Sequence, residues 1–269
     1  MKKILVPTDF SDNATKAVNY AVQIAKMAKA ELILIHALES TNPKKEKNDA
    51  EEKLRIIAGS IKETEAVQVS TGVFADSSVN SILSAIVSYQ ADLVVMGTIG
   101  NTGFNEKVFG SRTAGIIGKS PVPVIAVPLL SEWKVPKKIL LAINKFDIQD
   151  KLLKPVIELA SLFNSSIQTT IFTDTDDDYV EDYGEHEEGI ANFRDKLKDK
   201  YPNLEIHAVH LAGEHFRQSL QNWIDKNTID VLVMLTHHRT LIGSLFNSSM
   251  TKKMSYHTNI PLLAIPDNK

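Results

Sequence analysis

The sequence repeats itself at a fixed distance, and this repeat constrains the fold more than any other feature. Residues 92–96 (DLVVM) match residues 230–234 (DVLVM), and residues 123–128 (PVIAVP) match residues 261–266 (PLLAIP). Both matches are 138 positions apart. A constant distance that is maintained through strand, loop, helix and strand indicates that a whole domain has been duplicated.

The length of the chain agrees with two domains. Of its 269 residues, 43% are hydrophobic, and single domains most often have roughly 100 to 150 residues. We predict one domain at residues 1–130 and a second at residues 137–269. The linker between them lies within residues 129–136, a segment without helical or strand periodicity.

Each half alternates short apolar runs with longer segments of helical spacing, which is typical of a parallel sheet covered by helices. In the first half, the predicted strands are residues 4–7, 31–36, 67–73, 93–96 and 122–127. The predicted helices there are residues 11–29, 49–61, 77–89 and 111–118. In the second half, the predicted strands are residues 138–143, 166–172, 205–211, 231–235 and 260–265.

Charge and composition exclude several classes of protein. A net charge of −3 gives no attraction to a polyanion, so we expect no nucleic-acid partner. The chain has no cysteine and therefore no disulfide framework, which agrees with a cytoplasmic location. Its first apolar run ends at Pro7, too early for a signal peptide, and no run reaches the roughly 18 residues of a membrane span.

The candidate site is a glycine-rich segment that follows a predicted buried strand and leads into a predicted helix. It contains Gly97, Gly100 and Gly110, followed by Ser111 at the helix start. Glycines allow backbone N–H groups to approach an anion that a Cβ would keep away. The unpaired N–H groups and positive dipole end of the helix stabilise a phosphate. Such a ligand lies at the carboxyl ends of parallel strands, where residues 7–9 (PTD) end the first strand.

These residues resemble the universal stress protein family. Its nucleotide-binding members carry Gly, two residues, Gly, nine residues and Gly with Ser or Thr, and residues 97–111 fit this spacing. Residues 7–11 (PTDFS) match the opening of the family, and the resemblance covers both halves. It implies an α/β fold with two tandem domains, each a five-stranded parallel doubly wound (Rossmann-like) sheet flanked by helices.

The resemblance also implies a ligand and its binding residues. The ligand would be ATP, or ADP or AMP, with or without Mg²⁺. The residues around the adenosine would be Pro7, Asp9, Ala37 and Met96. The residues holding the phosphates would be Gly100, Gly110, Ser111 and Thr113. Thr8, Gly97 and Arg112 complete the predicted set.

One position departs from the family pattern. Asn101 stands where the family often has a basic residue, so phosphate charge would be balanced by backbone dipoles, Arg112 or a bound cation. The alternative is that this segment is only a glycine-rich loop between a strand and a helix. The nearby residues 118–120 (GKS) are predicted to be a helix C-terminus capped by Gly118, and not a P-loop.

The second half lacks the motif. At the offset of 138, the residues corresponding to the three glycines are Leu235, His238 and Ser248, while Ser249 corresponds to Ser111. At the first strand tip the offset is 135, and Asn144 corresponds to Asp9. Side chains at the former glycine positions would fill the phosphate volume. We therefore predict that only the first half binds a nucleotide.

The second half also contains a group of histidines, which raises the alternative of a zinc site. The group comprises His207, His210, His215, His237 and His238. We expect surface or hydrogen-bonding roles and no metal site, because His207 and His210 point to opposite sides of a strand. The charged segments 40–47 and 173–188 are interpreted as solvated loops or helix entrances, with an acidic cation site as the alternative.

Three functions fit the sequence. The first is a nucleotide-dependent regulatory module in the stress response, acting on a protein partner of unknown identity. The second is a slow ATP hydrolase or phosphotransferase, for which no catalytic residues can be named. The third is an interaction scaffold that needs no nucleotide. In each case we expect the uncharged edge strands 122–127 and 260–265 to pair with each other within the chain.

Overall fold

The structure is a computed structural model that describes residues 1–38, 43–98, 110–175, 181–237 and 259–267. The chain divides into two compact units, Met1–Trp133 and Lys134–Lys269. The bounds that we expect for the two domains, 1–130 and 137–269, stay a prediction.

The first unit alternates strands and helices along the chain. Its strands are β1 (Lys3–Pro7), β2 (Glu31–Leu38), β3 (Val69–Ala75), β4 (Leu93–Gly97) and β5 (Val124–Val127). Its helices are α1 (Asp12–Ala28), α2 (Pro43–Glu65), α3 (Ser78–Tyr89) and α4 (Ser111–Lys119). The strands are parallel in the order β3-β2-β1-β4-β5, so the direction of strand succession reverses between β1 and β4. Ligands of open α/β sheets bind at the carboxyl ends of strands beside such a reversal.

The second unit repeats this arrangement. Its strands are β6 (Lys138–Ala142), β7 (Ser166–Asp174), β8 (Ile206–Gly213), β9 (Val231–His237) and β10 (Leu262–Asp267). Its helices include α5 (Asp150–Phe163), α6 (Glu181–Lys200) and α7 (Phe216–Asn227). The parallel strand order is β8-β7-β6-β9-β10.

The predicted parallel α/β fold with flanking helices is confirmed. The count of five strands in each complete domain stays a prediction, because residues 99–109 and 238–258 lie outside the described residues.

The central strands form the core because both of their faces are covered. In the first unit, Ile4, Leu5 and Val6 of β1 are almost completely buried. Continuous apolar runs of this kind are typical of parallel strands between two helical layers. The helix α1 begins as the sequence predicts, since the Ser11 Oγ accepts a hydrogen bond from the Ala14 N–H.

Several element boundaries differ from the prediction, and three of the differences have a clear physical reason. Helix α2 begins at Pro43 and not at residue 49, because proline is tolerated in the first turn of a helix. Residues 43–47 of the expected charged loop therefore belong to α2. The predicted cap at Gly118 is wrong, since Gly118 lies inside α4 and Ser120 ends the helix with its N–H bonded to Ile116. Strand β5 begins after Pro123, which has no N–H for the ladder.

Both units share a carboxylate clamp at the amino ends of their strands. The Asp92 carboxylate accepts hydrogen bonds from the Lys2 and Lys3 N–H groups at 2.7 and 2.9 Å. The Asp230 carboxylate accepts the equivalent bonds from Lys137 and Lys138 at 2.8 and 2.9 Å. Burial opposes ionisation of Asp230, but Lys134 and these two N–H donors outweigh it and lower the pKa of this carboxyl.

Among the described helices, none has a stretch that is long and apolar enough to cross a lipid bilayer.

Candidate functional site

A pocket in the first unit lies at the carboxyl ends of β1, β2 and β4. It has about 550 Å³ of empty space, part of which is open to solvent. The strand ends contribute Pro7, Thr8, Asp9, His36, Ala37, Met96 and Gly97. The helices contribute Ala14, Ser78, Ile82, Arg112 and Thr113.

Most of the residues predicted from the sequence come together here. The predicted residues that line the pocket are Pro7, Thr8, Asp9, Ala37, Met96, Gly97, Arg112 and Thr113. Gly110 and Ser111 are not among the lining residues, but they form the N-cap and first residue of α4, next to Arg112. Gly100 lies outside the described residues.

Asp9 is the acidic group of the pocket, and its two oxygens have different surroundings. Oδ1 accepts hydrogen bonds from the Ser11 N–H at 3.1 Å and from the Ser11 hydroxyl at 2.5 Å. Oδ2 lies 4.0 Å from Nη1 of Arg112, beyond hydrogen-bond distance. The guanidinium is partly exposed, so the two charges interact only weakly across the pocket.

Gly97 is required by the packing of β4 against α1. A Cβ at Gly97 would lie 2.5 Å from the Asn13 side-chain oxygen and 3.0 Å from the Asn13 carbonyl oxygen. The Asn13 amide is itself fixed, because it donates to the Val127 carbonyl at 3.1 Å. The glycine therefore has a steric reason in addition to the predicted approach to phosphate.

The start of α4 is tied to the end of β4. The Gly110 N–H donates to the Thr98 carbonyl at 2.6 Å, and the Thr113 hydroxyl donates to the Gly97 carbonyl at 2.9 Å. Because this bond uses its hydroxyl proton, Thr113 can offer only its backbone N–H to an anion. These bonds place the first turn of α4 beside the pocket.

The N-terminus of α4 differs from those of the other two helices at the pocket. Ser11 and Ser77 cap α1 and α3 with their hydroxyl groups, whereas Gly110 at the start of α4 has no capping side chain. The first N–H groups of a helix have no partner within it, and its dipole is positive there. No acidic residue stands in the first turn of α4 to neutralise this dipole. The arrangement suits an anion.

Sequence reasoning did not identify four lining residues. They are Ala14, His36, Ser78 and Ile82. Helical periodicity places Ala14 and Ile82 on the buried faces of α1 and α3, but it does not reveal how close these faces lie to the strand ends. His36 directly precedes the predicted residue Ala37 on the same strand, and the sequence gives no other indication that His36 lines the pocket.

In the described part of the second unit, four histidine side chains have hydrogen-bond partners: His186, His207, His210 and His215. His207 contacts Glu205, with 2.9 Å between Nε2 and Oε1. The Thr173 hydroxyl lies between His186 Nδ1 at 2.6 Å and His210 Nε2 at 2.7 Å. The described part of the chain holds no group of three or more His, Asp or Glu side chains that could share a metal ion. His238 and the side chain of His237 lie outside it.

The fold is a parallel α/β fold with a pocket at the carboxyl ends of its strands, and comparison with known proteins identifies the family. The model of the universal stress protein family matches residues 1–128 and 136–266. The chain therefore belongs to the universal stress protein family and contains two of its domains in tandem.

Individual relatives agree with this assignment. A universal stress protein of Methanocaldococcus jannaschii is 31% identical over 153 residues, which cover 51% of this chain and 84% of that protein. The structure of a universal stress protein from Archaeoglobus fulgidus covers 99% of this chain and 98% of its own, at a TM-score of 0.79 and 16% identity, and so shows the same fold. A universal stress protein solved in complex with cAMP is 25% identical, covering 47% of this chain and 96% of its own, with a TM-score of 0.39.

Proposed function

We propose that the first unit binds one adenine nucleotide, ATP or its relatives ADP and AMP, and that the protein acts as a nucleotide-dependent regulatory module. The observation that carries this proposal is the meeting of the predicted residues around one pocket. Pro7, Asp9, Ala37 and Met96 come from three separate strand ends, yet all line the same cavity. The uncapped start of α4 supports an anionic ligand there.

The pocket suggests how the nucleotide would lie. The adenosine would occupy the apolar part near Ala37, Ile82 and Met96, with Asp9 as an acceptor for its amino or hydroxyl groups. The phosphates would extend toward the first turn of α4, where N–H groups and Arg112 supply positive charge. A Mg²⁺ ion could accompany the phosphates by binding to their oxygens.

The first experiment is to denature the purified protein and identify the released small molecules by chromatography and mass. We expect an adenine nucleotide at no more than one molecule per chain. For nucleotide-free protein, ATP at a hundredfold excess over its Kd should stabilise the native state by about 2.7 kcal/mol, seen as a rise in Tm. Protein that neither releases a nucleotide nor responds to ATP, ADP or AMP would support the scaffold function.

Other expectations extend this proposal. A nucleotide that binds one conformation more tightly would change the surface that the protein presents. We propose that this change regulates a protein partner. We also propose a cytoplasmic location. The pairing of strands 122–127 and 260–265 within one chain stays a prediction.

A further inference from the structure

Phe10, directly after the pocket residue Asp9, has an unusual backbone conformation. Its φ angle is 62°, in the left-handed region that residues with a Cβ rarely adopt. Among the described residues, the other non-glycine residues with positive φ follow the last residue of a helix, where this conformation is common. They are Lys29, Ala66, Gln90, Asn164 and Thr228. Phe10 instead lies between a strand and a helix.

The Phe10 side chain is held on two sides. Its ring stacks on the His36 ring, with 4.7 Å between the centroids and 27° between the planes. The Lys53 ammonium group of α2 lies 5.1 Å from the centroid of the Phe10 ring, within range of a cation–π interaction. The Phe10 N–H donates to the Thr8 hydroxyl at 3.0 Å, which fixes the backbone of the turn as well.

His36 is fixed in turn by the residue before Asp9. Its Nδ1 lies 2.8 Å from the Thr8 carbonyl oxygen. Because a carbonyl oxygen can only accept, Nδ1 carries the proton and donates to Thr8. His36 therefore binds the loop twice, through the Thr8 carbonyl and through the face of the Phe10 ring.

Asp9 lies between Thr8 and Phe10, and both of these residues are held by His36. We propose that Phe10, His36 and Lys53 form a brace that positions Asp9 for the nucleotide, an inference that rests on the proposed function. A carboxylate on a free loop would have to lose conformational freedom when the ligand binds, and this loss weakens binding. The strained turn persists because surrounding contacts determine it, as strained residues at functional sites generally require.

The first test compares ATP affinity by titration calorimetry in single variants. We expect Phe10→Ala and His36→Ala to bind ATP about tenfold more weakly than the wild type, while Phe10→Tyr, which retains the stacked ring, stays within about twofold. Phe74→Ala is the matched control, because Phe74 is a half-buried aromatic residue of the same unit that contacts Tyr89 and is not among the residues lining the pocket. It should lower the Tm and leave ATP affinity unchanged.

The second test asks whether the brace acts through Asp9. In the Asp9→Asn background, adding Phe10→Ala should weaken ATP binding by less than about twofold, since the carboxylate that the brace positions is gone. Effects that multiply in the double variant would overturn the proposal. If Asp9→Asn binds too weakly to measure, amide hydrogen exchange of Phe10 and Ser11 in ligand-free protein decides instead. We expect exchange about tenfold faster in His36→Ala, and unchanged exchange would contradict the brace.

The outcomes separate this inference from the proposed function. Wild-type protein that binds no ATP, ADP or AMP would overturn both. Wild-type protein that binds ATP, together with Phe10→Ala and His36→Ala variants that bind it equally well, would overturn the brace alone. A Phe74→Ala variant with the same loss of ATP affinity would also overturn it.

Discussion

The two units have the same contacts at the amino ends of their strands and different residues at the carboxyl ends. At the amino ends, Asp92 and Asp230 accept the same pair of backbone N–H bonds at nearly the same distances. At the carboxyl ends, the residues change: Asn144 corresponds to Asp9, and Leu235 corresponds to Gly97. The duplication has kept a contact that joins strands, while the residues that could face a ligand differ.

The strands also end at different places. In the first unit, β4 and β5 pair as far as Gly97 and Val127. In the second unit, β9 and β10 remain paired for two further positions, ending at His237 and Asp267. The Asp267 side chain is completely buried and lies 3.4 Å from the Lys145 ammonium group. An ion pair and a longer ladder thus lie at this end of β9 and β10, whereas the corresponding β4 of the first unit ends at the pocket residue Gly97.

If the proposed function holds, the structural part of this fold is separate from the part that binds the ligand. The contacts that hold adjacent strands together are needed in both units, because each must form the same sheet. The strand ends have no such constraint, since function is carried by sites at the edges of a fold and not by the fold itself.

The largest effect is expected when Gly97 of the first unit is replaced by leucine, the residue at the corresponding position 235 of the second unit. Gly97→Leu would place a Cβ 2.5 Å from the Asn13 side chain, at a residue that lines the pocket. We expect a loss of about 3 kcal/mol of stability from overpacking and no measurable ATP binding. The control is Gly59→Ala in α2, which has open space around its Cβ and should stabilise the helix slightly. Denaturant unfolding and calorimetry measure both effects. Wild-type affinity in Gly97→Leu would contradict the account.

The next effect concerns the carboxylate clamp. Asp230→Ala removes a buried carboxylate with two backbone donors and an ion pair to Lys134, and should cost about 2 to 3 kcal/mol of stability. Asp92→Ala removes an exposed carboxylate and should cost about 1 kcal/mol. Both should bind ATP with wild-type affinity when assayed well below their Tm. A clamp variant with reduced affinity but unchanged stability would remove the distinction between the two ends.

A smaller effect is expected from Arg112. Arg112→Ala should weaken ATP binding about tenfold and AMP binding less, because the guanidinium of Arg112 would contact the outer phosphates. Lys16, which pairs with Glu132 outside the pocket, provides the control, and Lys16→Ala should leave both affinities unchanged. Equal losses for ATP and AMP in Arg112→Ala would place this residue elsewhere on the ligand.

The smallest effect depends on pH and belongs to the second unit. Burial, followed by the nearby His186, lowers the pKa of His210, and Glu187 opposes the change only in part. The folded state therefore binds a proton at His210 less readily than the unfolded state does. Stability should be complete above pH about 6.5 and should fall as the pH drops through that value toward the lower folded pKa. Thr173 and Tyr183 also contact this ring.

Denaturant unfolding at pH 7.5 and 5.5 tests this prediction. The difference should shrink in His210→Gln and remain in His207→Gln, since His207 is exposed and contacts Glu205. An unchanged difference in His210→Gln would show that another group titrates.

The sequence predicts the fold well because strand and helix periodicity are local signals, and the duplication presents the same order of elements twice. The strand–helix alternation and the Ser11 and Ser77 helix starts follow from patterns within short windows. Boundary errors arise where a residue permits two structures, as Pro43 does in a first helical turn and Gly118 does within a helix. The pocket was predicted only in part, because the approach of α3 through Ile82 and the stacking of Phe10 on His36 depend on packing between distant segments.

The measurement that tests the central claim most directly is the stoichiometry of ATP binding to nucleotide-free protein by titration calorimetry. We expect one ATP per chain, and no binding heat in Gly97→Leu. Two ATP molecules per chain, or a full equivalent bound by Gly97→Leu, would contradict the claim that the first unit alone carries the site.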